Sequence, residues 1–110
     1  MRTFNIDGYK VALMRSSYPY NDSLAVVLDI VKKGKPTGEE YGVMTVCLGW
    51  PAPNEGCAFI DSNAGVDYED FVSKYGLAWP TGNQSRSGFC TYREYQFNDD
   101  IVDLEVGKYL

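Results

Sequence analysis

The chain has 110 residues, 45% of them hydrophobic and 15% aromatic, enough apolar side chain for one compact domain spanning 1–110 and too little for two separate cores. Ten basic against fifteen acidic side chains give a formal charge of −5, which argues against a protein held on nucleic acid or on an anionic membrane by general attraction. Histidine is absent, which excludes Ser-His-Asp and Cys-His nucleophile systems, imidazole metal ligation and the usual general base near neutrality.

Residues 1–7 lack the apolar core and small-residue cleavage site of a secretory signal, so the expected location is the cytoplasm. Thr3–Ile6 and Tyr9–Arg15 flank Asp7-Gly8, a two-residue hairpin signal. After the turn chemistry of Tyr18–Asp22, the run Leu24–Val31 reads as a central strand. That run is the longest apolar stretch, is interrupted by Asp29, and falls far short of the ~20 residues of a membrane span. Lys32–Gly38 reads as a polar turn, and Tyr41–Leu48 as the returning arm of a long hairpin with three lysines at its tip. Gly49–Gly56 contains Pro51 and Pro53 and is expected to be loop, with Cys57–Ile60 a short strand after it. Four or five antiparallel strands are thus expected by residue 61.

From Asp67 to Gly76 the period changes. Tyr68, Phe71, Val72 and Tyr75 fall at i, i+3, i+4 and i+7, the stripe of an amphipathic helix. Asp67, Glu69 and Asp70 at its start, Lys74 in its last turn and Gly76 beyond agree with the helix dipole and with C-terminal capping. Leu77–Gly88, with Pro80, two glycines and small polar residues, reads as a structured loop; Phe89–Phe97 alternates with a period of two and reads as a strand. Asn98-Asp99-Asp100 should turn the chain into a last strand over 101–110, with a short helix as the competing assignment. The expected fold is α+β, a mainly antiparallel sheet with one amphipathic helix packed on a face.

Motifs that carry chemistry are few. Cys47, Cys57 and Cys90 are odd in number, widely spaced and have no basic sequence neighbour, so reduced, largely buried thiols are expected. Asp61-Ser62-Asn63 opens like a calcium loop, but Val66 and Val72 stand where the loop needs its glycine and bidentate acid. Gly82–Gly88 offers glycines and Ser residues for an anion nest without the spacing or ending of a phosphate loop. No pair of carboxylates is placed by the sequence at a glycosidase separation. The expectation is a non-enzyme with no metal and no cofactor.

Charge is the uneven feature. Residues 1–60 carry six acids and six bases, whereas residues 61–110 carry nine acids against four bases, so the whole excess lies in the second half. If 101–106 is a strand, Asp103 and Glu105 project from one face about 6.6 Å apart, a spacing that resembles the charge repeat of a nucleic-acid backbone. The competing reading is a solvated acidic face that keeps the protein soluble.

The segments Tyr41–Leu48, Ala58–Asn63, Gly76–Ala78 and above all Thr81–Phe97 resemble an uncharacterised family of small proteins carried by conjugative elements and phages of gut bacteria. The resemblance covers roughly residues 40–97. It implies a fold family, transfers no catalytic residue, and implies the genomic company of proteins that disarm host defence, some of them similar to type I anti-CRISPR proteins. The expectation that follows is a non-enzymatic inhibitor in the host bacterial cytoplasm. It presents Asp67, Glu69, Asp70, Asp99, Asp100, Asp103 and Glu105 to a basic nucleic-acid-binding protein, such as a subunit of a type I CRISPR surveillance complex, without touching nucleic acid or membrane itself. The alternative is an interaction module of a mobile element that uses the aromatic residues Trp50 or Trp79 in place of charge.

Overall fold

The computed structural model describes residues 1–110. It contains eight strands and two short helices, in an α+β arrangement dominated by antiparallel sheet. Strands β1 (Phe4–Ile6), β2 (Tyr9–Ser17), β3 (Leu24–Lys32) and β4 (Lys35–Val43) form one sheet in that order. Strands β5 (Thr45–Val46), β6 (Cys57–Ile60), β7 (Ala78–Ser87) and β8 (Cys90–Phe97) form a second, in the order β5-β6-β8-β7. The expectation of one sheet with one helix is therefore corrected to two sheets and two helices, α1 (Tyr68–Lys74) and α2 (Asp99–Val102).

The first sheet follows local chemistry. Asp7-Gly8 joins Ile6 to its partner Tyr9, and both turn residues lie in the left-handed region (φ 48 and 81) as a type I′ hairpin requires. Lys33-Gly34 repeats the device between Lys32 and Lys35. The turn is thus two residues long instead of the seven expected, and β4 begins at Lys35. Irregularities between Leu28 and Val31 absorb the polar Thr37-Gly38 stretch, where the Thr37 hydroxyl donates to the Ile30 carbonyl. The expected strand over 41–48 is split. Met44 donates to the Val26 carbonyl and accepts from the Asp61 N–H, so the chain crosses between sheets at a fully buried residue, and Thr45-Val46 pairs with Ile60 and Phe59 of β6.

Eighteen buried residues from both sheets and both helices make one core cluster. Phe4 of β1 meets Phe71 and Tyr75 of α1 edge-on, with ring centroids 6.0 and 5.0 Å apart. Burial of Tyr68, Phe71 and Val72 contributes about 1.5–3 kcal/mol each. Asp67 caps the helix start by accepting from the Asp70 N–H at 2.9 Å. At the other end Tyr75 is the C-cap, and Gly76 (φ 65) follows. Leu77 then bonds back to Val72 and Gly76 to Ser73, the two bonds of a Schellman closure.

Three assignments in the second half are overturned. The expected loop over 77–88 is strand β7. It lies at the sheet edge, where Pro80 costs no ladder bond, and the register shift between Pro80 and Gln84 takes up the glycine-containing stretch. Phe89, read as the first strand residue, instead sits in the turn between Ser87 and its partner Cys90, and its side chain is fully exposed. The expected last strand over 101–110 gives way to the competing assignment, a short helix. Asn98 accepts from the Asp100 N–H and starts α2, after which residues 103–108 run through turns and only the Met14–Tyr109 bridge remains. Acidic residues in the first turn of a helix are favourable, whereas the same residues are poor in a strand. The tail nevertheless completes the first sheet: Leu110 donates to Leu13, Arg15 to Lys108 and Gly107 to Arg15, alongside the short β1.

Candidate functional site

The structure divides the seven expected contact residues into two groups. Asp67, exposed at the N-cap of α1, and Asp70 line a shallow depression with Asp7 and Lys74. Glu69 is half-buried. It accepts from the Tyr95 hydroxyl at 3.0 Å and faces Arg93 at 3.8 Å, so its charge is partly spent inside the fold. Asp99 and Asp100 stand exposed on the first turn of α2, Asp103 is its C-cap, and Glu105 is exposed just beyond. The approach to α1 is tied to the start of β8 through Ser62 and Thr91, whereas its exit is tied to the start of α2 through Leu77 and Asn98. The two groups therefore lie at opposite ends of α1, and Asp103 and Glu105 do not form the strand-borne row that the sequence suggested.

Asp103 belongs instead to a cleft of about 380 Å³ built from three distant segments. The β2–β3 connection supplies Asn21, Asp22 and Ser23, the loop before β6 supplies Pro53, Asn54 and Glu55, and α2 supplies Val102 and Asp103. Three carboxylates (Asp22, Glu55, Asp103) against the Arg15 guanidinium leave this lining at a net −2. Arg15 is committed to main-chain carbonyls, its Nε to Val102 and its Nη1 to Ser16, each at 3.3 Å. It makes no ion pair with the cleft acids; Arg93–Glu69 is the single ion pair of a chain with fifteen acids and ten bases.

Exposed aromatic residues adjoin two of the cleft's segments in sequence. Tyr20 and Trp50 are each 69% exposed, and the segments that carry them are fastened by the Asn21 side chain, which donates to the Gly49 carbonyl at 2.8 Å. Asn21 also accepts from the Ser23 N–H and hydroxyl. Trp79, 51% exposed, stands on edge strand β7 opposite Gln96, on the outer face of the second sheet.

Glu94 lies on that same outer face and is only 3% exposed. Its Oε2 accepts from the Asn54 N–H at 3.0 Å, and its Oε1 accepts from the Thr81 hydroxyl at 2.8 Å and the Asn83 amide at 3.1 Å. Burial, the largest single influence, pushes the carboxyl pKa up, but the bonds from Asn54, Thr81 and Asn83 together outweigh it and hold Glu94 below the usual carboxylate range. It is an ionised, buried group with no cation beside it.

Sequence reasoning did not find Asp22, Glu55 or Glu94. Asp22 and Glu55 reach Asp103 only through tertiary folding. The alternation over 89–97 does place Glu94 on one face with Tyr92 and Gln96, but burial of that face comes from loops far away in sequence. Asp61 of the rejected calcium motif accepts from the Asn63 N–H at 3.0 Å, a local turn contact, and Gly82–Gly88 is mostly strand instead of an anion loop. Cys57 is buried, its thiol raised in pKa first by burial and then by the charge of Glu94, and it donates to Gln96. No three of the cysteine, aspartate and glutamate side chains are grouped so as to hold a metal ion, and no helix is long and apolar enough to cross a membrane.

No curated protein and no solved structure matches the chain. A family model does match residues 12–107, a span that includes the second sheet, the first sheet without β1 and the start of β2, the acid-lined cleft and Glu94: the chain belongs to the family described as a domain of unknown function, DUF4313.

Proposed function

We propose that the protein is a non-enzymatic inhibitor carried by a mobile element, an anti-CRISPR protein. Its carboxylates would take the place of phosphates on the basic nucleic-acid-binding surface of a type I CRISPR effector complex. The observation that supports this reading is the convergence of Asp22 and Glu55 with Asp103 in one cleft, next to the exposed Asp99, Asp100 and Glu105. Exposed carboxylates without an ion-pair partner draw lysine and arginine side chains over a Debye length of roughly 8–10 Å, and the attraction weakens as salt rises. The acids of α1 form a second and smaller surface at the other end of that helix.

The test is competition with target DNA for a purified type I effector complex, at low and at moderate salt. Reversing Asp103 and Glu105 together, Asp103→Lys with Glu105→Lys, should weaken inhibition by roughly tenfold or more, because each change removes one attraction and adds one repulsion. Reversing the exposed Glu39 and Glu40 on β4 should do far less. Inhibition that is unaltered in both double variants and insensitive to salt sinks the charge-based reading. A second reading, an aromatic-anchored interaction module, is favoured by the exposure of Trp50 and Trp79; it predicts that Trp50→Ala or Trp79→Ala abolishes binding at all salt concentrations.

A further inference from the structure

We propose that Glu94 is the positioning residue of this surface: one carboxylate oxygen holds the Asn54–Glu55 wall of the cleft and the other holds the Thr81–Asn83 segment of β7. The inference rests on reading the cleft as a binding surface and adds the device that shapes it. The wall is otherwise a loop with two prolines and little ladder pairing, and β7 is irregular between Pro80 and Gln84. The Asn54–Glu55 wall has one backbone bond, from the Cys57 N–H to the Asn54 carbonyl at 3.0 Å, β7 breaks its register between Pro80 and Gln84, and each segment is bonded to the same buried side chain. The Asn54 amide adds bonds at 3.3 and 3.4 Å, one to each oxygen of Glu94. Gln96, two residues on and on the same face, extends the support by donating to the Gly56 carbonyl at 3.3 Å.

Stability alone does not call for a carboxylate at this position. An apolar residue avoids the desolvation cost of a buried, unpaired charge, and replacing buried ionic groups with apolar ones is often neutral or stabilising. An apolar residue cannot, however, accept donors from two segments at once. Through Glu94 the wall next to Trp50 and the edge that carries Trp79 keep one relative placement, so a ligand that shifts Asn54 also shifts Asn83. The surface used by the charge reading and the surface used by the aromatic reading are thereby joined.

The test uses the full chain, with amide exchange and side-chain amide resonances followed by NMR, and with an octa-arginine peptide as the probe. In Glu94→Gln one of the two acceptor positions becomes an NH2 group that faces a donor, so the Asn54 N–H should exchange about tenfold faster or more while the amides of the core strand β3 keep their protection. The substitution Thr81→Val on the exposed edge, which removes one donor from a segment outside the cleft, should also speed Asn54 exchange; it keeps the test open if Glu94→Gln fails to fold. In the wild type the peptide should move the Asn83 side-chain amide resonance, and in Glu94→Gln it should not. Unchanged Asn54 exchange in both variants, or peptide binding that leaves Asn83 unmoved in the wild type, overturns the assignment. If the peptide does not bind the wild type, the charge reading of the cleft fails on its own, and the exchange measurements still decide the role of Glu94.

Discussion

Gly42→Ala is a small change whose sign depends on one distant atom. Gly42 sits in β4 opposite Leu28, and its φ lies outside the left-handed region, so alanine fits the backbone. The obstacle is Tyr68, the first residue of α1 and only 3% exposed. An added Cβ would collide with its hydroxyl oxygen, whereas the next nearest atom, Cζ, lies at an ordinary 3.7 Å. Forcing a methyl group into a packed site costs about 1–3 kcal/mol. Replacing glycine with alanine where the backbone permits returns about 0.4–1 kcal/mol by restricting the unfolded chain. Gly42→Ala should therefore destabilise the protein by up to about 2.5 kcal/mol, which lowers Tm by about 4 °C per kcal/mol. In the Tyr68→Phe background the colliding oxygen is gone, and the same substitution should stabilise by about 0.4–1 kcal/mol. Urea unfolding of the wild type, both single variants and the double variant forms a cycle whose coupling energy should be about 1–3 kcal/mol, in favour of the double variant. A stabilising Gly42→Ala in the wild type, or an equal cost with and without the Tyr68 hydroxyl, would refute the reasoning that this hydroxyl fills the space beside Gly42.

Asp67→Ala should cost about 0.5–2 kcal/mol in thermal unfolding, and Asp67→Asn much less, because the cap needs an acceptor oxygen and not a charge. The hydrogen bond from Tyr41 to Asp7 and that from Tyr109 to Asp29 are the main reasons that these two hydroxyls are pushed up to about 12. A folded pKa above the unfolded value near 10 means that their contribution to stability is complete below about pH 10 and is lost as pH rises through 12. Titration of tyrosinate absorbance should show a late step that shrinks in Tyr41→Phe and in Tyr109→Phe.

The sequence was most legible where one local rule decides the outcome. Asp7-Gly8 makes its turn, Leu24–Val31 lies within a central strand, and Tyr68, Phe71 and Val72 face the core. It misled where tertiary position outweighs composition. Pro80 and its neighbouring glycine pointed to a loop, yet an edge strand accepts both because its outward side owes no ladder bonds. Alternation of apolar and acidic residues over 101–106 suggested a strand, but Asn98 caps a helix there and only the residues after 106 rejoin a sheet. The candidate site was half visible: Asp103 stood out by charge, whereas Asp22, Glu55 and the burial of Glu94 depend on loops that no local pattern brings together.

The tail that bonds along β2 bears on how the chain reaches its fold. Strand β1 covers β2 only from Tyr9 to Val11, and the rest of that edge is closed by bonds from Leu110 to Leu13 and between Arg15 and residues 107–108. Such contacts join residues nearly a whole chain apart, the costliest loops to close, and a β-rich topology of this kind folds on a scale of milliseconds to seconds. Until the tail docks, β2 offers a row of unpaired main-chain groups to any neighbouring strand. Docking of residues 107–110 closes that row, so a variant that loosens these bonds should be more prone to strand pairing between two copies of the chain.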